Sequence, residues 1–313
     1  MTTVLGIDAA WTAKNPSGVA IVQKRTSGWE LLAAEPSYGH FLARAQGVPA
    51  SSSHLSNSVD VFALIAAASR IAGEKPSVVA VDMPLAYSQI VGRRYADTAV
   101  SRAYGGRQCA AHSPTIERPG PISVSMRQQF ETLGYPLSTR DISGSALIEV
   151  YPHPALVELT AEPKRLPYKI GRARGYCPEL TPSFRKSMIA AEWESIVEVL
   201  EHYVSGVKAY WRGRQGAKTK DYKAHEDVLD AIVCCVCAIR ALEGEADIYG
   251  DDDAAIWVPR ADPVVTARAL LPSSPSSSRA EMRLELYAER LIRGDLHRYN
   301  QISGRSASKV GET

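Results

Sequence analysis

Three apolar runs lead the chain, over residues 4–9, 18–24 and 29–34, divided by short polar turns that hold Asn15-Pro16 and Ser27-Gly28. Runs this short between turn residues predict an antiparallel meander. After a Ser-rich loop at 51–53, the stretch SVDVFALIAAASRIAG repeats its apolar positions with helical period, and Gly73 is placed to end the helix. The Val-rich run SVVAVDMPLA then predicts a fully buried parallel strand. A long polar stretch, 88–139, is rich in Arg, Gly, Tyr and Pro, and SALIEVYPH predicts a further strand. Helices with basic connections are expected over 154–223, the clearest around 183–204. HEDVLDAIVCCVCAIRAL is apolar on most of its surface after the first turn, which predicts a buried helix, and AAIWVP predicts a short last strand.

Three antiparallel strands followed by strands alternating with helices predict an α/β mixed sheet, flanked by helices, with a helical insertion at about 88–143. That order of elements is the one found in the RNase H-like fold, and it assigns residues 1–260 to one domain. Beyond Pro259 the composition shifts. LPSSPSSS reads as a linker, RAEMRLELYAERLIRGDLHRYNQ as a charged amphipathic helix offering a homodimer surface, and the last residues of 261–313 as a disordered tail.

At 313 residues, 45% hydrophobic and 22% charged, the composition is that of a soluble globular protein. The net charge of +2 gives no global argument for a polyanionic partner and leaves room for a local basic surface. Five cysteines, three of them in the apolar run CCVC, lack the pair spacing of a zinc site and point to buried thiols in a reducing, cytoplasmic setting. The N-terminus carries no signal pattern and no apolar run is long enough to span a bilayer, so no membrane association is expected.

The acids carry the chemistry. Asp8 ends the first strand and Asp82 the Val-rich one; Glu149 sits within LIEVYPH. Asp227 and Asp230, in the expected first turn of the buried helix, share a face through their spacing of three. Parallel neighbouring strands present their C-terminal ends on one edge of a sheet, where α/β sites lie. Carboxylates gathered there need cations, and hard divalent ions with oxygen ligands, Mg²⁺ or Mn²⁺, are the natural counter-charge. Two such ions roughly 4 Å apart clamp the attacking and leaving oxygens of a phosphoryl displacement. Three of the acids also have a plainer reading: Asp227 as a helix N-terminal acid, Asp82 as a turn cap, and Glu149 as a residue that alternates with Ile148 and Val150 toward the other face.

The phrases LGIDAAWTAKNPSGVAIV, VAVDMPLAY and EDVLDAIVCCVCA resemble the three acidic motifs of RNase H-fold nucleases. The Asp-x-x-Asp-Ala start of the last helix is similar to that of RuvC-type Holliday-junction resolvases. With GRRYADTAVSRAYG, CAAHSP, LIEVYPHPAL and AAIWVP, the ordered set over about residues 3–259 resembles the predicted-nuclease family labelled domain of unknown function 429. The resemblance implies an RNase H-like fold and suggests Asp8, Asp82 and Asp227 or Asp230 as metal ligands. Asp82 stands where resolvases usually have Glu, and the insertion after it has no resolvase counterpart.

The insertion adds Arg93, Arg94, Arg102 and Arg107 beside Tyr95 and Tyr104, a set suited to phosphates and stacked bases or, alternatively, to salt bridges with its own acids. His112-Ser113-Pro114 makes a polar turn suited to a phosphate or a water. A second basic run holds Lys164, Arg165, Lys169, Arg172 and Arg174. His153 and His225 lie near the acids in sequence, His225 as a proton-transfer group or a helix cap. The expectation is a divalent-metal-dependent nuclease, with nucleic acid as partner. Two alternatives are a non-catalytic nucleic-acid or partner-binding protein and an ATP-binding kinase-like protein, the latter lacking a second first-strand motif and Gly-rich phosphate turns.

Overall fold

A computed structural model describes residues 2–12, 15–49, 60–213 and 222–263. These fall in one unit, Met1–Thr266. The expected linker, amphipathic helix and tail lie outside the described residues from 264 onward.

The meander forms as β1 (Thr3–Asp8), β2 (Gly18–Arg25) and β3 (Gly28–Glu35). Helices α1 (Tyr38–Gln46) and α2 (Val61–Ala72) follow, then β4 (Val78–Val81). Both helices are capped in the manner their sequences allow. Ser37 accepts from the His40 amide at 3.2 Å and Asp60 from the Ala63 amide at 3.1 Å. Gly47 and Gly73 close them with φ of 71° and 78°. The insertion carries α3 (Tyr95–Tyr104) and α4 (Pro121–Thr132). Next come β5 (Ala146–Val150), α5 (Pro152–Thr160), the single turn α6 (Ala173–Tyr176) and the long α7 (Pro182–Tyr203). Last come β6 (Val204–Ser205), α8 (Val207–Arg212), α9 (Tyr222–Leu242), β7 (Ala246–Gly250) and β8 (Ala255–Pro259).

The strands form one eight-stranded mixed sheet in the order β6-β3-β2-β1-β4-β5-β8-β7. β1, β4, β5 and β8 run parallel, whereas β2 and β7 run antiparallel to their neighbours. This differs from the order expected from sequence at both ends. The two-residue β6 pairs with the outer edge of β3, and the half-exposed β7 forms a hairpin with β8. Neither has a long apolar run to announce it.

Strand residues divide between two cores with period two, as the pleat demands. Val4, Val78, Ala80, Ile148 and Val150 join the layer under α3, α5, α7 and α9, while Leu5, Ile7, Val79, Val81 and Leu147 join the one under α1, α2 and α4. Helix α9 is buried on nearly every side from His225 to Ile239. It starts no later than Tyr222, so Asp227 and Asp230 lie in its second and third turns rather than in its first. Among the described residues, no helix is long and apolar enough to cross a membrane.

Candidate active site

Alternation along β1 puts Val4, Gly6 and Asp8 on the face toward α9, and the glycine decides how close that helix comes. A Cβ on Gly6 would stand 2.3 Å from the carbonyl oxygen of Ala231. One on Gly18, the cross-strand partner of Asp8, would stand 2.0 Å from that of Asp227. Small residues at both positions therefore let α9 rest directly on the β1–β2 hairpin. The Cys234 thiol donates to the carbonyl of Ile7 at 3.6 Å and the Cys235 thiol to that of Ala20 at 3.4 Å. Parallel pairing of β1 with β4 brings in the next acid, since the Asp82 amide donates to the carbonyl of Ile7 at 2.9 Å.

A cleft of about 530 Å³ opens over these strand ends. Asp8, Asp82 and Asp227 line it with Lys223, the loop residues Trp11 and Asn15, and the insertion's His112, Ser113, Thr115 and Arg118. Asp230 is fully buried outside that lining. It accepts from the Tyr168 hydroxyl at 2.7 Å and pairs with Lys169. Lys223, one helical turn before Asp227, reaches its Oδ1 at 2.5 Å, and both lysines also contact Glu226, at 2.7 Å from Lys223 and 3.5 Å from Lys169. Part of the counter-charge expected from metal ions is thus supplied by the chain itself, through Lys223 and through Lys169 of the second basic run.

Several carboxylates in one buried volume resist ionisation. Burial, then Asp230, pushes the Asp8 carboxyl well above its ordinary range, with Asp227 and Asp82 adding to the effect against Lys169. Burial and Asp230 likewise raise Asp82 to about 7. Asp227 is raised to about 6, mainly by burial and despite Lys223. Asp227 Oδ2 is a buried oxygen without a hydrogen-bond partner. Among the described residues, no three His, Cys, Asp or Glu side chains stand close enough together to hold a metal ion.

Other expected site residues go elsewhere. Glu149 is apart from the cluster because strand parity turns it to the side of Leu147, away from Ile148 and Val150. It is 3% exposed and takes both Arg94 Nη atoms at 2.6 Å and the Leu85 amide at 2.7 Å. Arg94 also holds Asp97 at 2.6 Å and the Leu85 carbonyl at 2.7 Å, so it pins the loop after Asp82 and offers nothing to a substrate. Arg93 is spent on Ser113 Oγ at 2.8 Å and on the carbonyls of Asp97 and Ala111 at 3.0 and 3.3 Å, bracing the turn that presents His112 and Ser113 to the cleft. Arg102 is exposed on α3, outside the cleft lining. His153 is buried on α5, beside Arg165 at 2.5 Å. His225 is neither helix cap nor cleft residue: its ring stacks on Trp193 at 6.3 Å and meets Trp211 edge-on at 5.6 Å.

Arg118 is a further cleft residue that the sequence does not single out; its guanidinium lies 5.9 Å from the Trp11 ring centre. No motif marks it, since it becomes a cleft residue only through the fold of the insertion.

No curated protein and no solved structure significantly matches the chain. A family model described as "Protein of unknown function (DUF429)" matches residues 6–255, a span that contains every acid of the cleft. By that match over most of its length, the chain belongs to the DUF429 family.

Proposed function

We propose that the cleft hydrolyses phosphodiester bonds of nucleic acid with the help of Mg²⁺ or Mn²⁺. The observation that carries this reading is the convergence of Asp8, Asp82 and Asp227, from two parallel strand ends and one helix, on a single open cleft. An RNase H-like arrangement is part of the proposal, supported by the antiparallel β1–β3 meander followed by parallel β4 and β5.

The donor set fits a hard divalent ion. Asp227 offers a buried oxygen without a partner, and among the described residues neither Asp8 nor Asp82 has a hydrogen bond or ion pair on its carboxylate. Since no three of the described acids stand close enough to share one ion, two of Asp8, Asp82 and Asp227 would hold it, with water and substrate oxygens as its other ligands. Bound there, such an ion supplies Lewis-acid polarisation of a phosphoryl oxygen and lowers the pKa of water. The chain's own part is orientation and charge. His112, Ser113 and Arg118 line the cleft on the insertion side, where the phosphates of a bound strand would lie, and Lys223 competes with the cation for Asp227. Water attacks phosphorus, the bond to the leaving oxygen breaks, and the products are one strand end with a phosphate and one with a hydroxyl.

The lysines paired to Asp227 and Asp230 favour a second reading, a binding protein whose acids need no metal. One experiment separates the two. Purified protein is incubated with Mg²⁺ or Mn²⁺ and with single-stranded, duplex, hybrid and branched substrates, beside Asp8→Asn and Asp227→Asn variants. Cleavage that needs the ion and drops at least about a hundred-fold in each variant is expected. Cleavage surviving both substitutions, or none from folded, metal-loaded protein, would reject the hydrolase and leave the binding reading.

A further inference from the structure

Beside the acids stands a group of cations that the chain does not neutralise. Arg93, Arg94 and Arg107 of the insertion are all engaged by side-chain or carbonyl oxygens of the protein. Arg118, Arg165 and Arg172, by contrast, have no carboxylate partner among the described residues. Arg118 lines the cleft together with His112, and Arg165 stands 2.5 Å from His153. His112, in the cleft lining, feels Arg172, Arg165 and Arg118 together, and His153 feels Lys169, Arg165 and Arg172. Lys169 is itself neutralised by Asp230, so the three guanidiniums are the uncompensated charges.

Hydrogen bonding points the same way. Arg165 Nη2 can only donate, so at 2.5 Å it makes His153 Nε2 the acceptor. Burial, reinforced by the surrounding cations, keeps that ring neutral, which leaves its proton on Nδ1. That Nδ1 is buried with no partner, and so is Arg165 Nε. Two buried donors without acceptors, on residues in contact, are costly unless an acceptor-rich group arrives.

We propose that His112, Arg118, Arg165 and Arg172, backed by His153, form an anion subsite beside the carboxylate cleft that holds the phosphate monoester at a nucleic-acid strand end. The inference rests on the hydrolase reading for the strand and on the cationic cluster for the end. An internal phosphodiester brings one negative charge, whereas a terminal monoester brings nearly two and three free oxygens, the better match to three guanidiniums. The protein would then grip a phosphorylated end while the acids face a neighbouring linkage.

The test uses the full chain in EDTA, so that binding is read without turnover. Fluorescence anisotropy compares one labelled single strand bearing a 5′-phosphate, a 3′-phosphate or hydroxyls only, against the wild type and the Arg118→Gln, Arg165→Gln and Arg172→Gln variants. Arg118 and Arg172 are exposed, so their variants should fold even where Arg165→Gln does not. Arg70→Gln, an exposed position on α2 across the sheet, is the charge-matched control. One phosphorylated end is expected to bind at least about ten-fold tighter than the hydroxyl strand, and each of the three substitutions to erase most of that preference while Arg70→Gln keeps it. Equal binding of all three strands, or a preference untouched by Arg118→Gln and Arg172→Gln, would overturn the subsite. Full competition by a nucleoside 5′-monophosphate at the strand's own affinity would overturn the strand-end assignment. End preference without any cleavage in Mg²⁺ or Mn²⁺ would support the subsite and reject the hydrolase.

Discussion

Asp82 is held in a place where its charge is unwelcome. Burial first, and then the neighbouring Asp230, raises its carboxyl from 3.8 to about 7. A carboxyl whose pKa is raised by folding contributes stability below its unfolded value, and that contribution is lost as pH climbs through the folded one. The metal-free protein should therefore weaken between about pH 4 and about pH 8, with Asp8 acting in the same direction. Asp82→Asn removes the titrating group and keeps the shape. In urea titrations at about pH 8 the variant is expected to exceed the wild type by about 2–4 kcal/mol, and by much less at about pH 4. Equal pH profiles for the two proteins would refute the assignment of the cost to Asp82. Mg²⁺ or Mn²⁺, if the acids bind it, should restore the wild type at the higher pH and leave the variant little changed.

Helix α9 and the β1–β2 hairpin form the structural unit on which the acids depend. Gly18→Ala drives a methyl group into the backbone of Asp227, and neither strand nor helix can yield a flexible side chain to relieve it. We expect a loss of about 1–3 kcal/mol in chemical denaturation, whereas Gly171→Ala, which points into open space, should show none. A Gly18→Ala protein as stable as the wild type would mean that α9 does not lie on the hairpin. Much of this unit was legible beforehand. The meander, the buried VVAV strand, the end of α2 at Gly73 and the buried CCVC helix all follow from periodicity and turn chemistry. The place of Asp8 on β1 follows too, because a strand end is where an apolar run stops. The pairing of Lys169 with Asp230 does not, since those residues are 61 apart and no local rule joins them. Lys223, four residues before Asp227, could have been found from helical spacing alone. Arg94 follows the second of the two readings its run allowed, salt bridges with the insertion's own acids, through Asp97; its partner Glu149, 55 residues away, could not be read from local sequence.

Across the whole molecule the net charge is only +2, so long-range attraction to a polyanion is weak and binding must come from local groups. If Arg118, Arg165 and Arg172 are those groups, the affinity for a single strand should fall with log salt at a slope of about 2, the value for three phosphate contacts. A flat salt profile would exclude them; a much steeper one would require cations outside this cluster. The helix that carries the acids also carries its own clock. Cys234, Cys235 and Cys237 are wholly enclosed between α9 and the sheet, and burial raises their thiol pKa values, whereas Cys177 is partly exposed. Under native conditions an alkylating reagent should therefore label Cys177 first and reach the three only when α9 lifts away, taking Asp227 and Asp230 with it. Their labelling rate, followed by mass spectrometry, reports how often the acidic wall of the cleft comes apart.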